Sequence, residues 1–447
     1  MQLTIREIAS LFGQRFDGKD VEIAGFSIDS RETNLGEVFF AIKGQNVDGH
    51  EFALQAQEKG AALVVCEKPL QVGIPIPQVI VPSTEEAMIT LGAYYKNKFN
   101  CQVVGITGSA GKTTTKELTA QMLSARYQVA KNEGNRNTPI GLPMALKVLE
   151  NDTEIFVAEL SGSFMDEIPK LLKIVRPVVG VITNVGPSHL ETLGDIDGVA
   201  KSKSQLIESL PVGGLAVLNA DDPRCRAMSS KTRCKKVTFG FDPESDIQGR
   251  LIDGLITVKS CGKAYTFRPH QDSIHFMYDA LASMAVAIEY GIPLKECVEV
   301  AADFKPVEGR GTIIINPSGV RIIDESYNAN PVSMKETLRS LAAKPGRRFA
   351  ILADMLQLGE DSEKLHQELG EFVASLRLDG VYLFGNLSKR LAQNCPRSLH
   401  FETKKDLLDA ISLRLSSGDW VLVKGSNGMG MKEVVRSLAT HANKEEI

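Results

Sequence analysis

Short apolar runs, each followed by a stretch of helical spacing, recur along most of this chain. QVVGITG precedes KTTTKELTAQMLSARY, EIFVAEL precedes a helix near 165–174, and VVGVITNVG precedes one near 197–209. Runs of that length alternating with helices predict parallel strands covered on both faces. Upstream, VFFAIKG and AALVVCE read as strands with FALQAQEKG as a helix between them. The Pro-punctuated VGIPIPQVIVPST follows, and EEAMITLGAYYKNKF reads as a helix leading out of the first domain. A β-rich insert with turn signals over 236–269 and a helical pair over 274–303 interrupt the alternation. It resumes beyond FKPVEGRGT, where Pro306, Gly309 and Gly311 punctuate the chain, with VRIIDES, RFAILAD, GVYLFG and DWVLVKG as strands. Asn330 before Pro331 marks a helix start, a cap followed by a first-turn proline. The pattern predicts an α/β protein of three domains. A small N-terminal α/β domain would span 1–97, a central P-loop parallel-sheet domain 98–306, and a C-terminal Rossmann-like domain 307–447.

Length agrees: 447 residues suit about three domains of ordinary size. Lys plus Arg is 51 and Asp plus Glu 55, a net charge of −4, so no global field draws the chain to nucleic acid or an anionic membrane. The seven cysteines form no C-x-x-C pair and read as small buried hydrophobes in a reducing compartment. MQLTIREIASLFG carries charges where a signal peptide needs its apolar core. No apolar run approaches the ~20 residues needed to cross a bilayer. These features predict a cytoplasmic protein without membrane or nucleic-acid partners, and three self-sufficient domains predict a monomer.

The strongest chemical signal is the strand VVGIT running into GSAGKTTTKE and a helix. Gly108 and Gly111 let the backbone curl so that successive N–H groups face a phosphate chain, and the helix N-terminus adds its dipole. Lys112 would neutralise the β/γ-phosphates and the Thr113 hydroxyl would ligate Mg²⁺. The strict G-x-x-x-x-G-K-[ST] pattern fails by one position, since residue 106 is Ile and the glycine lies at 105. ATP or GTP binding is the expectation. Glu159 ends the strand EIFVAEL and His189 follows the strand VVGVITN, so both fall on the rim where open α/β sheets bind ligands. A carboxylate and an imidazole there could complete Mg²⁺ coordination beside Thr113.

The runs GITGSAGKTTTKE, EGNRNTPIGLP, VAEL and ITNVGPSHLE resemble the Mur ligases of peptidoglycan synthesis. DESYNANPVSM, LADMLQLGEDSEKLHQELG and VKGSNGMGMKEVV are similar to the dipeptide-adding member of that family, so the resemblance spans nearly the whole chain. It implies an ATP-dependent amide-bond-forming ligase joining D-alanyl-D-alanine to UDP-N-acetylmuramoyl-tripeptide through an acyl phosphate. SIDSRETNLGEVFFAIKGQNVDGHEF resembles the family's uridine-nucleotide domain, which implicates Ser30, Arg31, Gly44, Asp48, Gly49 and His50. The family pattern puts Thr107, Gly108, Ser109, Ala110, Gly111, Lys112 and Thr113 on ATP phosphates. It puts Glu159 and His189 on Mg²⁺, with two ions possible, and Asn135 and Asn137 near the substrate. It also implies a carbamylated lysine at Lys203, with Lys201 as a two-residue-shift competitor, so that Lys112, His189 and Lys203 form the catalytic set. In the third domain Arg310 resembles the linker arginine that meets the nucleotide, and Asp324 or Glu325 would contact the ribose. Tyr327, Asn328 and Asn330 would sit where ATP meets the incoming dipeptide, with Asp354 a further candidate.

Several positions depart from the family pattern. Ala110 stands for the usual Asn of the phosphate loop, Thr138 ends the N-x-N-N segment, Gln205 replaces an acid, and Asn427 follows KGS in place of an Arg. The H-N-x-x-N helix start reads His275, Phe276, Met277, Tyr278, Asp279. The competing readings are another amino-acid ligase of the family, a folylpolyglutamate-type synthetase, or a nucleotide-binding relative without catalysis. Thr138, Gln205 and Phe276 support the last of these.

Overall fold

The computed structural model describes residues 2–44, 47–70, 76–269 and 274–440. Three sheets follow one another along the chain. Strands Gly25–Ser27, Glu37–Phe40, Leu63–Cys66 and Gln78–Ile80 pair in that order, all parallel. Their inner face joins a core that runs on without a break into the central domain, where Leu91 and Tyr95 share one cluster with Leu142, Leu171 and Ile174. The helix Thr84–Lys96 makes that join, lying on Glu167–Val175. Gly92 meets the Pro143 ring there, at a point where a Cβ would come within 2.9 Å of it.

The central sheet has nine strands. From one edge they are Lys263–Phe267, Leu255–Ser260, Ile247–Ile252, Lys235–Gly240, Leu215–Asn219, Val179–Ile182, Gln102–Thr107, Ile155–Glu159 and Val129–Lys131. The seven from Ile247–Ile252 to Val129–Lys131 are mutually parallel, and Leu255–Ser260 pairs antiparallel both to Ile247–Ile252 and to Lys263–Phe267. The β-rich stretch expected as an insert is therefore a continuation of the same sheet. Its two hairpins turn at Asp253-Gly254 and Cys261-Gly262, with φ of 51° and 73°, and 48° and 76°. Positive φ at both central residues gives tight turns that follow the strand twist, so each hairpin lies in the plane of the sheet. Helices Lys112–Leu123 and Ile274–Glu289 pack together on one face, and Glu167–Val175 and Ile196–Glu208 cover the other.

The C-terminal sheet runs Thr312–Ile315, Arg321–Glu325, Trp420–Lys424, Arg348–Ala353, Gly380–Phe384, Ser398–Phe401, parallel except for its first strand. The last strand in sequence sits between two earlier ones, with separate apolar clusters on the two faces. That arrangement opens a crevice at the carboxyl ends of Arg321–Glu325 and Trp420–Lys424. Among the described residues no helix is long and apolar enough to cross a membrane.

Candidate active site

The phosphate loop takes its shape from two glycines that no other residue could replace. Gly108 (φ 154) packs against the Thr183 hydroxyl and Gly111 (φ 81) against the Asp279 carboxyl, each too closely for a Cβ. Gly111 then caps the helix Lys112–Leu123, leaving its first N–H groups free for an anion. The neighbouring strand end holds the loop from below. Ala110 N donates to Asn184 Oδ1 at 2.9 Å, and Thr183 Oγ1 donates to Ala110 O at 2.6 Å. Ser109 is tied by its hydroxyl to Gly186 O at 2.9 Å. Lys112 Nζ folds back onto Gly108 O at 2.8 Å. Its burial, then Arg310, depress its pKa, while Glu159 and Glu167 work in the opposite direction.

Glu159 lies 2 % exposed at the end of its strand, with a fixed orientation. Its Oε2 accepts from Thr113 Oγ1 at 2.6 Å and its Oε1 from Asn137 Nδ2 at 2.8 Å. Asn132 grips its backbone, accepting from Glu159 N at 2.8 Å and donating to Glu159 O at 3.2 Å, and fully buried Lys116 donates to Asn132 O at 2.6 Å. His189, in left-handed backbone (φ 54), caps Leu190–Leu193. Its Nδ1 is 2.8 Å from Gln357 Oε1 and its Nε2 is 3.4 Å from Ser163 Oγ. Burial first, then the cations Lys112 and Lys203, hold its pKa down to about 4, so the imidazole is neutral at pH 7. Lys203 is 1 % exposed and donates no hydrogen bond among the described residues. Burial and the Lys112 charge pull its amine down to about 7 against the opposing field of Glu167. Glu167 itself accepts from Ser161, Ser163 and Phe164.

The C-terminal domain closes over this rim. Arg310 lies 3.9 Å above the Tyr327 ring, and Asn330 Nδ2 reaches Ser109 O at 3.5 Å while its Oδ1 caps the helix Pro331–Ala342. A cavity of about 330 Å³ results, shared by Lys112, Glu159 and His189 on one side and Arg310, Glu325 and Asn328 on the other. Ser109, Ala110, Gly111, Asn135, Asn137, Tyr327 and Asn330 line it as well. His275 Nε2, on the same wall, is buried without a hydrogen-bond partner among the described residues, which leaves a polar atom for a ligand.

Other expected site residues lie elsewhere. Thr107, Gly108, Thr113 and Lys203 do not line the cavity, although Thr113 donates to the lining residue Glu159 and Lys203 is buried. Asp324 does not face the cavity, because Gly309 N, Ser326 N and Ser326 Oγ occupy its two oxygens. Asp354 likewise accepts from Ser426, Leu387 and Ser388 through its backbone and carboxyl oxygens. Ser30, Arg31, Gly44, Asp48 and His50 lie in the loops and turns of the N-terminal domain and do not line this cavity. There Ser30 donates to Gln55 at 2.6 Å, Arg31 pairs with Asp29, and His50 bridges Asp48 and Glu67 N. Lys424, which no motif singles out, is buried and donates to Glu325 Oε2 at 2.9 Å and Asn328 O at 3.1 Å. Its position at a parallel strand end was the available signal.

Asp279 carries a measurable consequence. It is buried 5 % exposed beneath Gly111, with Thr115 Oγ1 3.2 Å from Oδ1, and burial pushes its pKa up to about 8. Between the ordinary value of 3.8 and about 8, the folded chain keeps a proton that the unfolded chain has lost. Stability therefore falls as pH rises through that window. Asp279→Asn is expected to remove this slope, so that thermal melts of the variant and wild type coincide near pH 4 and the variant is the more stable at pH 8. Equal slopes would refute it.

Comparison with known proteins agrees with the geometry. Family models described as "Mur ligase family, catalytic domain", "Mur ligase middle domain" and "Mur ligase, glutamate ligase domain" match residues 22–103, 106–287 and 309–427. The UDP-N-acetylmuramoyl-tripeptide–D-alanyl-D-alanine ligase of Bacillus subtilis (strain 168) is 31% identical, covering 97% of this chain and 98% of its own. The enzyme of that name from Escherichia coli (strain K12) is 32% identical, covering 98% of each. A crystal structure of MurF from Acinetobacter baumannii superposes with a TM-score of 0.87 at 26% identity over 97% of both chains. The MurF ligase of Thermotoga maritima in complex with ADP gives 0.81 at 30% identity, over 92% of this chain and 96% of that one. Matched along its length by three Mur ligase models and end to end by relatives 31% and 32% identical, the chain belongs to the Mur ligase family.

Proposed function

We propose that this protein is the ATP-dependent ligase that joins D-alanyl-D-alanine to UDP-N-acetylmuramoyl-tripeptide in peptidoglycan precursor synthesis. The observation that carries the reading is the cavity in which Lys112 and Glu159 of one domain face Arg310 and Asn328 of the next. A terminal carboxylate oxygen of the tripeptide attacks the γ-phosphorus of ATP, giving an acyl phosphate and ADP. The amine of the dipeptide attacks the acyl carbon, and phosphate leaves from the tetrahedral intermediate. The loop amides and Lys112 take up charge that spreads over the phosphoryl oxygens. Arg310, stacked on Tyr327, adds a second cation from the opposite wall. Bringing donor and acceptor together between two domains supplies proximity and keeps water from the acyl phosphate.

The donor set fits a hard divalent cation. Thr113 and Glu159 offer oxygens already 2.6 Å apart, His189 offers a neutral imidazole, and phosphate oxygens and water would complete the shell. Magnesium bound there would neutralise charge on the transferring phosphoryl group. We assign Thr113, Glu159 and His189 to it. Lys203, whose buried amine is about half unprotonated near pH 7, can attack CO₂ at carbon through that neutral fraction, lose one proton and become a carbamate. That anion would answer the cluster of Lys112 and the cation. The residues of the N-terminal domain loops, Ser30, Arg31, Gly44, Asp48 and His50, are assigned to the uridine nucleotide.

The test is phosphate release from ATP and Mg²⁺ with UDP-N-acetylmuramoyl-tripeptide and D-alanyl-D-alanine, singly and together. Release is expected only with both present. Release with single amino acids in place of the dipeptide would favour a different ligase of the family, and ATP binding without release under any combination would end the catalytic reading.

A further inference from the structure

A side chain of the C-terminal domain, Gln357, hydrogen-bonds the imidazole of His189. Gln357 and His189 both hold left-handed backbone, φ 62 and φ 54, a conformation that residues with a Cβ rarely adopt. Glycine takes such angles freely, as Gly359 does at φ 59 two positions on, so a glutamine held there points to a use for its side chain. That side chain presents Oε1 to His189 Nδ1 at 2.8 Å. An amide oxygen only accepts, so the contact puts the imidazole proton on Nδ1 and leaves Nε2 as a bare lone pair. Nε2 lies 3.4 Å from the hydroxyl of Ser163, a residue that lines the same cavity as Glu159.

The loop bearing Gln357 is fixed by its own domain. Met355 N donates to His366 Nε2 at 3.0 Å, Leu356 N donates to Ser426 Oγ at 2.9 Å, and Leu358 is buried in the apolar cluster. Gly359 then rests on the backbone of Glu191, in the helix that His189 caps, where a Cβ would come within 3.2 Å. The Gln357 contact therefore exists only while the C-terminal domain is seated on the central one. We propose that Gln357 is a positioning residue that, on seating of the C-terminal domain, locks His189 as its Nδ1–H tautomer with Nε2 turned to the cation site, so that cation affinity is coupled to domain closure. This rests on the assignment of His189 to the cation given above. Groups behind a metal-binding imidazole fix its tautomer and direction in this way, and their loss weakens metal binding by about 10- to 100-fold.

Two measurements that need no turnover test it on the full-length protein. The ¹⁵N NMR of the histidine side chains should show His189 as one Nδ1–H tautomer. Electron paramagnetic resonance should follow Mn²⁺ binding with a non-hydrolysable ATP analogue. Gln357→Gly relaxes the strained backbone and so stays folded. It is expected to mix the tautomers and weaken Mn²⁺ binding about 10- to 100-fold. Gln357→Glu keeps an acceptor oxygen and should return both signals toward wild type. An Nε2–H tautomer in the wild type, or a Gly variant within about two-fold of wild-type Mn²⁺ affinity, overturns the proposal. Absence of Mn²⁺ binding in the wild type overturns it together with the cation assignment. If both signals respond as stated while no substrate pair releases phosphate, the ligase reading fails and this one stands.

Discussion

Lys112→Met is expected to slow substrate-dependent phosphate release by about a thousand-fold while the protein stays folded. The ammonium is the one cation of the phosphate loop itself, and it rests on Gly108 O at 2.8 Å beside the loop amides. Removing a preorganised charge from a site closed to water lowers the rate of the phosphoryl step much more than it weakens binding of ATP, which the loop amides still hold. Stability should move the other way. Burial already disfavours the charged form of Lys112, so an apolar chain of similar length relieves desolvation and the repulsion from Arg310. Single-turnover kinetics with ATP, tripeptide substrate and dipeptide, beside thermal melts, separate the two effects. A variant within about ten-fold of the wild-type rate would mean that Arg310 carries the charge neutralisation instead.

Locality of this kind sets what is legible in the sequence. The central parallel strands could be read because residues buried on both faces leave continuous apolar runs, and the loop Gly108–Thr113 could be read because its chemistry is contained in a few adjacent positions. Glu159 and His189 were placed on the rim by strand ends alone. Contacts fixed by pairing between distant strands left no such trace. Glu325 and Asp324 are neighbours, and only the ladder that sets Glu325 opposite Lys424 turns one to the cavity while the other is bound by Gly309 and Ser326. Asp279 under Gly111, and Gln357 on His189, join elements far apart in sequence. The stretch 236–269 misled for another reason. Its turn signals were real, but a hairpin turn does not say whether its strands start a new sheet or extend an old one, and the pairing of Lys235–Gly240 with Leu215–Asn219 decides that.

Lys203 should give a variant that is more stable and far less active. Its amine falls from an ordinary 10.5 to about 7 in the folded chain. Below pH 7 both folded and unfolded chains carry the proton, so the full cost of the buried charge applies. From pH 7 to 10.5 the unfolded chain still holds a proton that the folded one has released, and the cost is relieved by about 1.4 kcal/mol per pH unit. Lys203→Met is therefore expected to be more stable than wild type at pH 7 by a few kcal/mol, with the gap closing as pH approaches 10. Added bicarbonate should raise the wild-type melting temperature, because carboxylation replaces a buried cation facing Lys112 with an anion, and should leave the Met variant unmoved. Phosphate release by Lys203→Ala should drop by about 10²- to 10³-fold and recover in part with formate or acetate, whose carboxylate can enter the vacated space. A Met variant that melts lower than wild type at pH 7 would show that Glu167 already compensates the ammonium. An Ala variant at wild-type rate would remove Lys203 from the catalytic set.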